Sequence, residues 1–140
     1  MSPPAEPIRV AIVGSVEYEH LEKVREFVRE LAVKHNKQVV IVSGGSKGVD
    51  GTAATEAVYS GLRISTWRPD QRQKNSKNKR SGLKRNYQIV EDSDQVVGFW
   101  NEESGDVAHA LKVARDRDKL WKVFGASGEE LDIEDIDLGW

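Results

Sequence analysis

Cysteine is missing from this 140-residue sequence, and histidine occurs only three times. The lack of cysteine excludes disulfide bonds, thiolate metal sites and a cysteine nucleophile, and it is compatible with a reducing compartment. The three histidines, His20, His35 and His109, are scattered along the chain, which argues against a histidine-based metal site. We therefore predict no metal site built from protein side chains.

An excess of charge of one sign and a long apolar run are also missing. The 21 basic and 23 acidic residues give a formal net charge of −2, so the total charge indicates neither a nucleic acid nor a membrane as partner. No apolar run reaches the roughly 18 residues of a transmembrane helix. The first residues, MSPPAEP, show no basic segment followed by an apolar stretch, so no signal peptide is predicted. We expect a cytoplasmic, single-domain protein without a membrane partner.

Short apolar runs alternate with segments of helical periodicity along most of the chain. The runs predict strands at 8–14, 38–43, 63–67, 95–100 and 120–126, and the periodic segments predict helices within 17–36, 52–61, 83–93 and 105–118. Such alternation favours an α/β fold, a Rossmann-like three-layer sandwich of about five parallel strands with helices on both faces. We divide the chain into an N-terminal extension (1–7), this domain (8–126) and an acidic C-terminal tail (127–140).

Open parallel sheets bind ligands at the carboxyl ends of their strands, so the loops after the strands are the candidate sites. After the first strand, Gly14 permits a turn, and Ser15 offers a hydroxyl beside an expected helix start. Helix starts attract anions through unpaired N–H groups. The alternative, that Ser15 only caps the helix, stays open.

After the second strand comes the glycine-rich stretch SGGSKGVDG. Glycines permit close approach of a ligand to the backbone, and successive N–H groups form anion-binding nests. The stretch matches neither G-x-x-x-x-G-K-[ST] nor G-x-G-x-x-G, and a glycine-rich turn without ligand is the alternative. We expect a phosphate against this backbone, with ligand contacts from Ser43, Gly44, Gly45, Lys47, Gly48 and Asp50.

After the third strand, the stretch 68–85 contains eight basic residues and one acid, Asp70. It is either a solvated loop, a lid over an anionic ligand, or a surface that contacts nucleic-acid phosphates. Arg85 and Asn86, at the start of the next predicted helix, are more specific candidates for ligand contacts than the lysines of this stretch. Arginine binds phosphate bidentately, and asparagine reads a base or ribose edge.

After the fourth strand, Trp100 is predicted either as core or as a stacking platform for a base, a role that Tyr87 also fits. Ser104 and Gly105 precede a predicted helix and form a second candidate anion site. Asp106 either caps that helix or repels a phosphate. The acid–base candidates in this region are Glu102, Glu103, Asp106 and His109.

The C-terminal tail carries six acids between Glu129 and Asp137, interleaved with Leu131, Ile133 and Ile136. One interpretation is a disordered, solubilising end. The other is a segment that docks on the basic stretch of the same or a neighbouring chain.

Five elements, VAIVGS, VSGGSKGVDGTAA, KRNYQIVEDSD, VVGFW and SGDVAHAL, together resemble the SLOG superfamily, a Rossmann-like group. The group is named after the DNA-processing protein Smf/DprA and the LOG cytokinin-activating phosphoribohydrolases. The resemblance spans 8–126 and is greatest to the small single-domain YspA/YpsA-related branch. It implies a five-stranded Rossmann-like sheet with a nucleotide or nucleotide-derived ligand across the strand carboxyl ends.

LOG enzymes cleave the N-glycosidic bond of nucleoside monophosphates with an arginine on the third helix and a glutamate in a GGxGTxxE motif. Arg85 matches the arginine. The glutamate is not matched, because the motif here reads Ser104-Gly105-Asp106 and His109 stands three residues beyond Asp106. Arg85 and Glu103 are the catalytic candidates that remain if the chain is an enzyme.

Three functions are therefore compared. The first is binding of a nucleotide or nucleotide-derived small molecule without turnover, as a sensor, carrier or sequestering module. The alternative is a nucleotide N-glycosidase with a non-standard acid or base, and the third is binding of single-stranded DNA as in DprA. A phosphate ligand would be compatible with Mg²⁺, and the resemblance implies a homo-oligomer.

Overall fold

The computed structural model describes residues 6–69 and 79–139, with the backbone alone for 79–81. Its strands are β1 (Ile8–Gly14), β2 (Val39–Ser43), β3 (Arg63–Thr66), β4 (Gln95–Phe99), β5 (Leu120–Phe124) and β6 (Glu130–Leu131). They form one sheet in the order β3-β2-β1-β4-β5-β6. The first five strands pair in parallel, and β6 pairs antiparallel to β5. The predicted parallel α/β fold is confirmed, with a sixth strand that the sequence did not predict.

Both faces of the sheet are buried, as the continuous apolar strands predicted. Along β1, Val10 and Ile12 belong to the core on one face, whereas Ala11 and Val13 belong to the core on the other face. This division follows from the alternation of side chains in a strand.

Four helices cover the two faces: α1 (Leu21–Lys34), α2 (Val49–Tyr59), α3 (Lys79–Glu91) and α4 (Gly105–Asp116). The helices α1 and α2 contribute Phe27, Val28 and Ala53 to the first core, and α3 and α4 contribute Ile89 and Leu111 to the second. The result is the three-layer sandwich that the sequence indicated. No helix within the two described ranges has the length and apolar character needed to cross a bilayer.

Helix boundaries differ from the predicted ones mostly at the N-terminal ends. Helix α1 begins at Leu21, after a turn, and α2 begins at Val49. Helix α3 begins at Lys79, within the stretch predicted as a loop. Lysine and arginine are good helix formers, so a helix there needs no apolar periodicity to mark its first turn. Three parts of the chain lie outside the described residues: 1–5, Trp140 and 70–78, which is the middle of the basic stretch 68–85.

The acidic C-terminal segment is not a free end in this structure. Its residues form β6 on the edge of the sheet, Leu138 is 7% exposed, and Ile133 and Ile136 pack against the core on the α3–α4 face. The apolar residues between the acids anchor the segment to the core, whereas its charge pattern alone favoured a disordered end. Docking of this segment on the basic stretch stays a prediction, because residues 70–78 of that stretch are not described.

The strand order reverses between β1 and β4. The helix α2 that follows β2 lies on one face of the sheet, and α4 that follows β4 lies on the other. The loops after these strands therefore diverge and leave a crevice at the carboxyl end of β1. Open α/β sheets bind their ligands at such a crevice.

On the α3 side of the sheet, Asp92 joins three elements through its carboxylate. Arg9 Nη2 donates to Oδ1 at 2.8 Å, and Ser65 Oγ and Trp67 Nε1 each donate to Oδ2 at 2.8 Å. Partial burial acts to raise the pKa of Asp92, but hydrogen bonds from Trp67, Arg9 and Ser65 prevail and hold it below its ordinary value. The ionised carboxylate therefore stabilises the fold.

We predict that Asp92→Asn lowers the free energy of unfolding by about 2 kcal/mol at pH 7, because an amide offers one acceptor where three donors converge. Since the folded-state pKa of Asp92 is depressed, its contribution is present above its unfolded pKa of about 3.9 and is lost as pH falls through the folded value. Urea unfolding at pH 7 and below pH 4 measures both effects. The exposed Asp116→Asn serves as control, and an equal loss in the two variants would contradict the prediction.

Candidate functional site

A cavity of about 170 Å³ lies at the crevice between the carboxyl ends of β1 and β4. We call it the switch-point cavity. It brings together loops that are distant in the sequence: the end of β1, the turn before α2, the middle of α3 and the start of α4. Six of its lining residues were predicted as site residues: Gly14, Asp50, Arg85, Asn86, Ser104 and Asp106.

Arg85 is the buried cation of the cavity, with 7% of its surface exposed. Its Nη1 donates to the carbonyl of Gly44 at 3.0 Å, its Nη2 to Asp106 Oδ2 at 3.1 Å, and its Nε to Asn86 Oδ1 at 3.2 Å. A guanidinium carries five N–H donors, so these three contacts do not exhaust it. Arg85 lies in the second turn of α3 rather than at the helix start that the sequence predicted.

Asn86 is 2% exposed and connects α3 to α4. Its Nδ2 lies 3.1 Å from the carbonyl oxygen of Asp106 and 3.1 Å from Nδ1 of His109. Because an amide nitrogen only donates, Nδ1 of His109 must accept, and the proton of the neutral ring sits on Nε2. Burial and the nearby Lys112 lower the pKa of His109, although Asp106 acts in the opposite direction. The imidazole is therefore neutral at pH 7.

Asp50 is a buried carboxyl group, 6% exposed, in the first turn of α2. Its Oδ2 accepts a hydrogen bond from the backbone N–H of Ser46 at 3.2 Å. Burial raises the pKa of Asp50 to about 6, and the Ser46 hydrogen bonds and the Arg85 guanidinium only partly oppose that rise. Asp50 and Asp106 thus face one cation, Arg85, across the cavity.

This balance of charge decides which ligand group fits the cavity. A phosphate inside it would approach two carboxylates, which repel it. Carboxylates instead accept hydrogen bonds from hydroxyl and amino groups. The side chains therefore suit the ribose or base of a nucleotide, and Lys47, predicted as a phosphate contact, is exposed and does not line the cavity.

The glycine-rich turn is occupied largely by the protein itself. The N–H of Gly45 donates to Ser43 Oγ at 3.2 Å, and the N–H of Ser46 donates to Asp50. A Cβ on Gly44 would lie 2.6 Å from Arg85 Nη1, and one on Gly48, at φ 71°, would lie 2.2 Å from the carbonyl oxygen of Val16. Close packing thus requires glycine at positions 44 and 48, which were also predicted as phosphate contacts.

The two predicted helix-start sites differ in the structure. Ser15 is 2% exposed and accepts a hydrogen bond from the N–H of Asn101 at 3.1 Å. It lies in a turn and neither caps nor begins α1, so the expectation of a helix start beside it was wrong. Ser104 does cap α4, with its Oγ accepting from the N–H of Val107 at 3.4 Å.

Two further predicted residues lie away from the cavity. Trp100 is 7% exposed, belongs to the core and donates from Nε1 to the carbonyl of Ser104 at 3.0 Å. It lines a separate pocket of about 350 Å³ with Glu102 and the acidic C-terminal segment, not the switch-point cavity. Glu103 is exposed and does not line the cavity, and Glu102 accepts instead from the N–H of Ala126 at 2.9 Å. Neither glutamate is placed beside Arg85.

The residues that sequence reasoning missed form the apolar wall and one polar edge of the cavity. They include Val16, Ser46, Ile89, Val107 and Ala110. Ile89 stands four residues after Arg85 and Val107 three residues after Ser104, and this helical spacing was the available signal. In the part of the chain that the structure describes, no three His, Asp or Glu side chains are grouped closely enough to hold a metal ion.

We predict that Asp50→Asn raises the free energy of unfolding at pH 7.5 by about 1 to 3 kcal/mol, because a neutral amide avoids the desolvation of the buried carboxylate. The folded-state pKa of about 6 lies above the unfolded value of about 3.9. Wild-type stability should therefore fall as pH rises from about 4 to 6, and the two proteins should converge near pH 4. Urea unfolding across this range is the test. Destabilisation at pH 7.5 would show that the contact with Arg85 outweighs desolvation.

Comparison with known proteins shows similarity in fold. No protein-family model and no curated protein sequence matches the chain. The structure of DNA processing protein A (DprA) from Streptococcus pneumoniae superposes with a TM-score of 0.68 at 19% identity, covering 85% of this chain and 50% of that one. DprA from Helicobacter pylori, whose structure describes a single-stranded DNA binding mode, gives a TM-score of 0.58 at 23% identity, covering 86% and 65%. The chain thus spans half to about two thirds of these proteins and shares their fold.

Proposed function

We propose that this chain binds a nucleotide or nucleotide-derived ligand at the switch-point cavity without turning it over, as a sensor, carrier or sequestering module. The observation that carries the proposal is the buried pair Arg85–Asn86 at the crevice where the strand order reverses. Burial of a guanidinium is costly, and its position at the binding crevice of an α/β sheet favours a ligand role.

The size of the cavity indicates how much of a nucleotide it takes. Ligand pockets usually exceed about 300 Å³, whereas this cavity measures about 170 Å³. It therefore holds a ribose or a base, with the phosphate nearer to the exposed side chains of Lys47 and Arg68. Asp50 and Asp106 accept from hydroxyl or amino groups, and the Arg85 N–H groups that have no partner among the described residues bind oxygen atoms.

Hydrolysis of an N-glycosidic bond is less well supported. Its oxocarbenium-like transition state requires a carboxylate beside the anomeric carbon. Glu103 lies outside the cavity lining. Asp106 is paired with Arg85, and Asp50 accepts from Ser46. We therefore propose binding rather than catalysis.

Binding of single-stranded DNA is the second candidate. It is favoured by the fold shared with DprA, of which the H. pylori protein binds single-stranded DNA, and by the eight basic residues between 68 and 85. In this case the cavity would take one nucleotide of a strand, and the basic stretch would contact its phosphates.

We also propose membership of the SLOG superfamily, supported by the fold shared with DprA and by the five sequence elements quoted above. The assignment to the YspA/YpsA-related branch rests on those elements alone. We propose in addition that the protein is cytoplasmic, that it forms a homo-oligomer and that the phosphate of the ligand binds together with a Mg²⁺ ion. Light scattering of the purified protein measures the oligomer.

We predict that Arg85→Lys weakens binding of nucleoside monophosphates at least tenfold, because lysine keeps the charge but loses the planar set of donors that holds Gly44 and the ligand together. Isothermal titration with a panel of monophosphates measures the affinity, and chromatography of the mixture should recover each compound intact.

The control for this prediction is Arg115→Lys, on the exposed last turn of α4, which should bind as the wild type does. Urea unfolding shows whether each variant is folded. If wild-type protein binds no nucleotide, or if both variants bind equally well, the proposed site is wrong. Release of free base would overturn binding without turnover.

If the ligand is a single strand, the affinity for a labelled 12-nucleotide DNA should fall steeply with salt. Each phosphate contact adds about −0.7 to the slope of log K against log salt concentration, so four or more contacts should give a slope of about −3 or steeper. Fluorescence anisotropy between 50 and 300 mM salt measures it. A slope near zero would reject the second candidate while leaving the first intact.

A further inference from the structure

An exposed aromatic surface lies beside the switch-point cavity, on helices α3 and α4. Tyr87 is 42% exposed and directly follows Asn86 in the chain, and Leu83, one turn earlier on α3, is 39% exposed. The ring of Tyr87 meets the ring of His109 edge to face, with centroids 5.5 Å apart at 79°. The aromatic pair is therefore fixed in orientation while one ring stays accessible.

Basic side chains accompany this aromatic pair. The guanidinium of Arg117 lies over the ring of Tyr87, 5.1 Å from its centroid. A pocket of about 270 Å³, which we call the α3–α4 pocket, opens beside the two rings. Its lining residues are Tyr87, Gly105, His109, Lys112, Val113, Asp116 and Leu138. Aromatic rings interleaved with cations are the surface on which single-stranded nucleic acids stack their bases.

The α3–α4 pocket adjoins the switch-point cavity. Asn86 lines the cavity, and its Nδ2 contacts Nδ1 of His109, which lines the pocket, at 3.1 Å. Asp106 lines the cavity, whereas the preceding residue, Gly105, lines the pocket. One wall, made of Asn86, His109 and the start of α4, therefore separates two neighbouring spaces.

We propose that the α3–α4 pocket is a second base-binding subsite, in which Tyr87 stacks the base of the nucleotide next to the one in the switch-point cavity and His109 holds the Tyr87 ring in orientation. The partner is then a single-stranded nucleic acid of two or more nucleotides rather than a free mononucleotide. This inference rests on the second candidate of the proposed function, binding of a single strand, since it requires the cavity to hold the first nucleotide of that strand.

The charges around the pocket orient such a strand. Asp116 would repel a phosphate, so it faces the base, where its carboxylate accepts from an N–H group such as the imide N–H of thymine. Arg117 lies over the ring of Tyr87 and is not among the lining residues of the pocket, so the phosphate between the two nucleotides runs along the Arg117 guanidinium. Lys112 adds positive charge to the same pocket.

The test compares Tyr87→Ala with the wild type for binding of labelled oligo(dT) of 12 nucleotides and for binding of dTMP. We expect the oligonucleotide to bind at least about tenfold more weakly, because stacking on an aromatic side chain is lost. Affinity for dTMP should stay within twofold. Tyr87→Phe, which keeps the ring, should retain the wild-type affinity for the oligonucleotide.

Tyr59→Ala is the matched control, because Tyr59 is 83% exposed on α2 of the opposite face. It should leave both affinities unchanged. If Tyr87→Ala binds the oligonucleotide as the wild type does, or if Tyr59→Ala weakens it equally, the second subsite is wrong, even where Arg85→Lys abolishes dTMP binding. Failure of the wild type to bind either probe would overturn the proposed function together with the subsite.

Discussion

The burial of the Arg85 guanidinium is the constraint on which the rest of the site depends. A buried cation must have protein partners, because an uncompensated charge in the interior costs several kcal/mol. Here the partners come from elsewhere in the chain: the carbonyl of Gly44 after β2 and the carboxylate of Asp106 in α4. The geometry of two loops and two helices is thereby tied to one side chain, and the cavity takes its shape around it.

This arrangement changes the role of the glycine-rich turn. Its lack of side chains lets Arg85 reach the carbonyl of Gly44 and lets the chain pass close to Val16 at Gly48. In the function that we propose, ligand recognition falls to side chains, chiefly Asp50, Arg85 and Asn86, rather than to successive backbone N–H groups. Two carboxylates against one guanidinium favour the neutral, hydroxyl-bearing part of a nucleotide inside the cavity, and its charge outside.

At the outer edge of the sheet, apolar side chains hold the acidic C-terminal segment against the core. Strand β6 pairs with β5, and Leu138 covers part of the core on the α3–α4 face. Trp100 is thereby enclosed, whereas Tyr87 and His109 remain at the surface beside the cavity. The exposed aromatic residue beside the cavity is therefore Tyr87 on α3, whereas Trp100, which follows β4, packs in the core.

By itself, the sequence determined the layers and the region of the site. Continuous β-branched runs alternating with amphipathic segments require a parallel sheet covered on both faces, and ligands bind such a sheet at the strand ends. The sequence therefore placed Asp50, Arg85, Asn86, Ser104 and Asp106 in one region. Only the tertiary structure decided that Ser15 supports a loop, that Trp100 is core and that the N–H groups of Gly45 and Ser46 already have partners. These outcomes depend on contacts between residues far apart in the chain, such as Ser15 with Asn101 and Gly44 with Arg85, which no local pattern encodes.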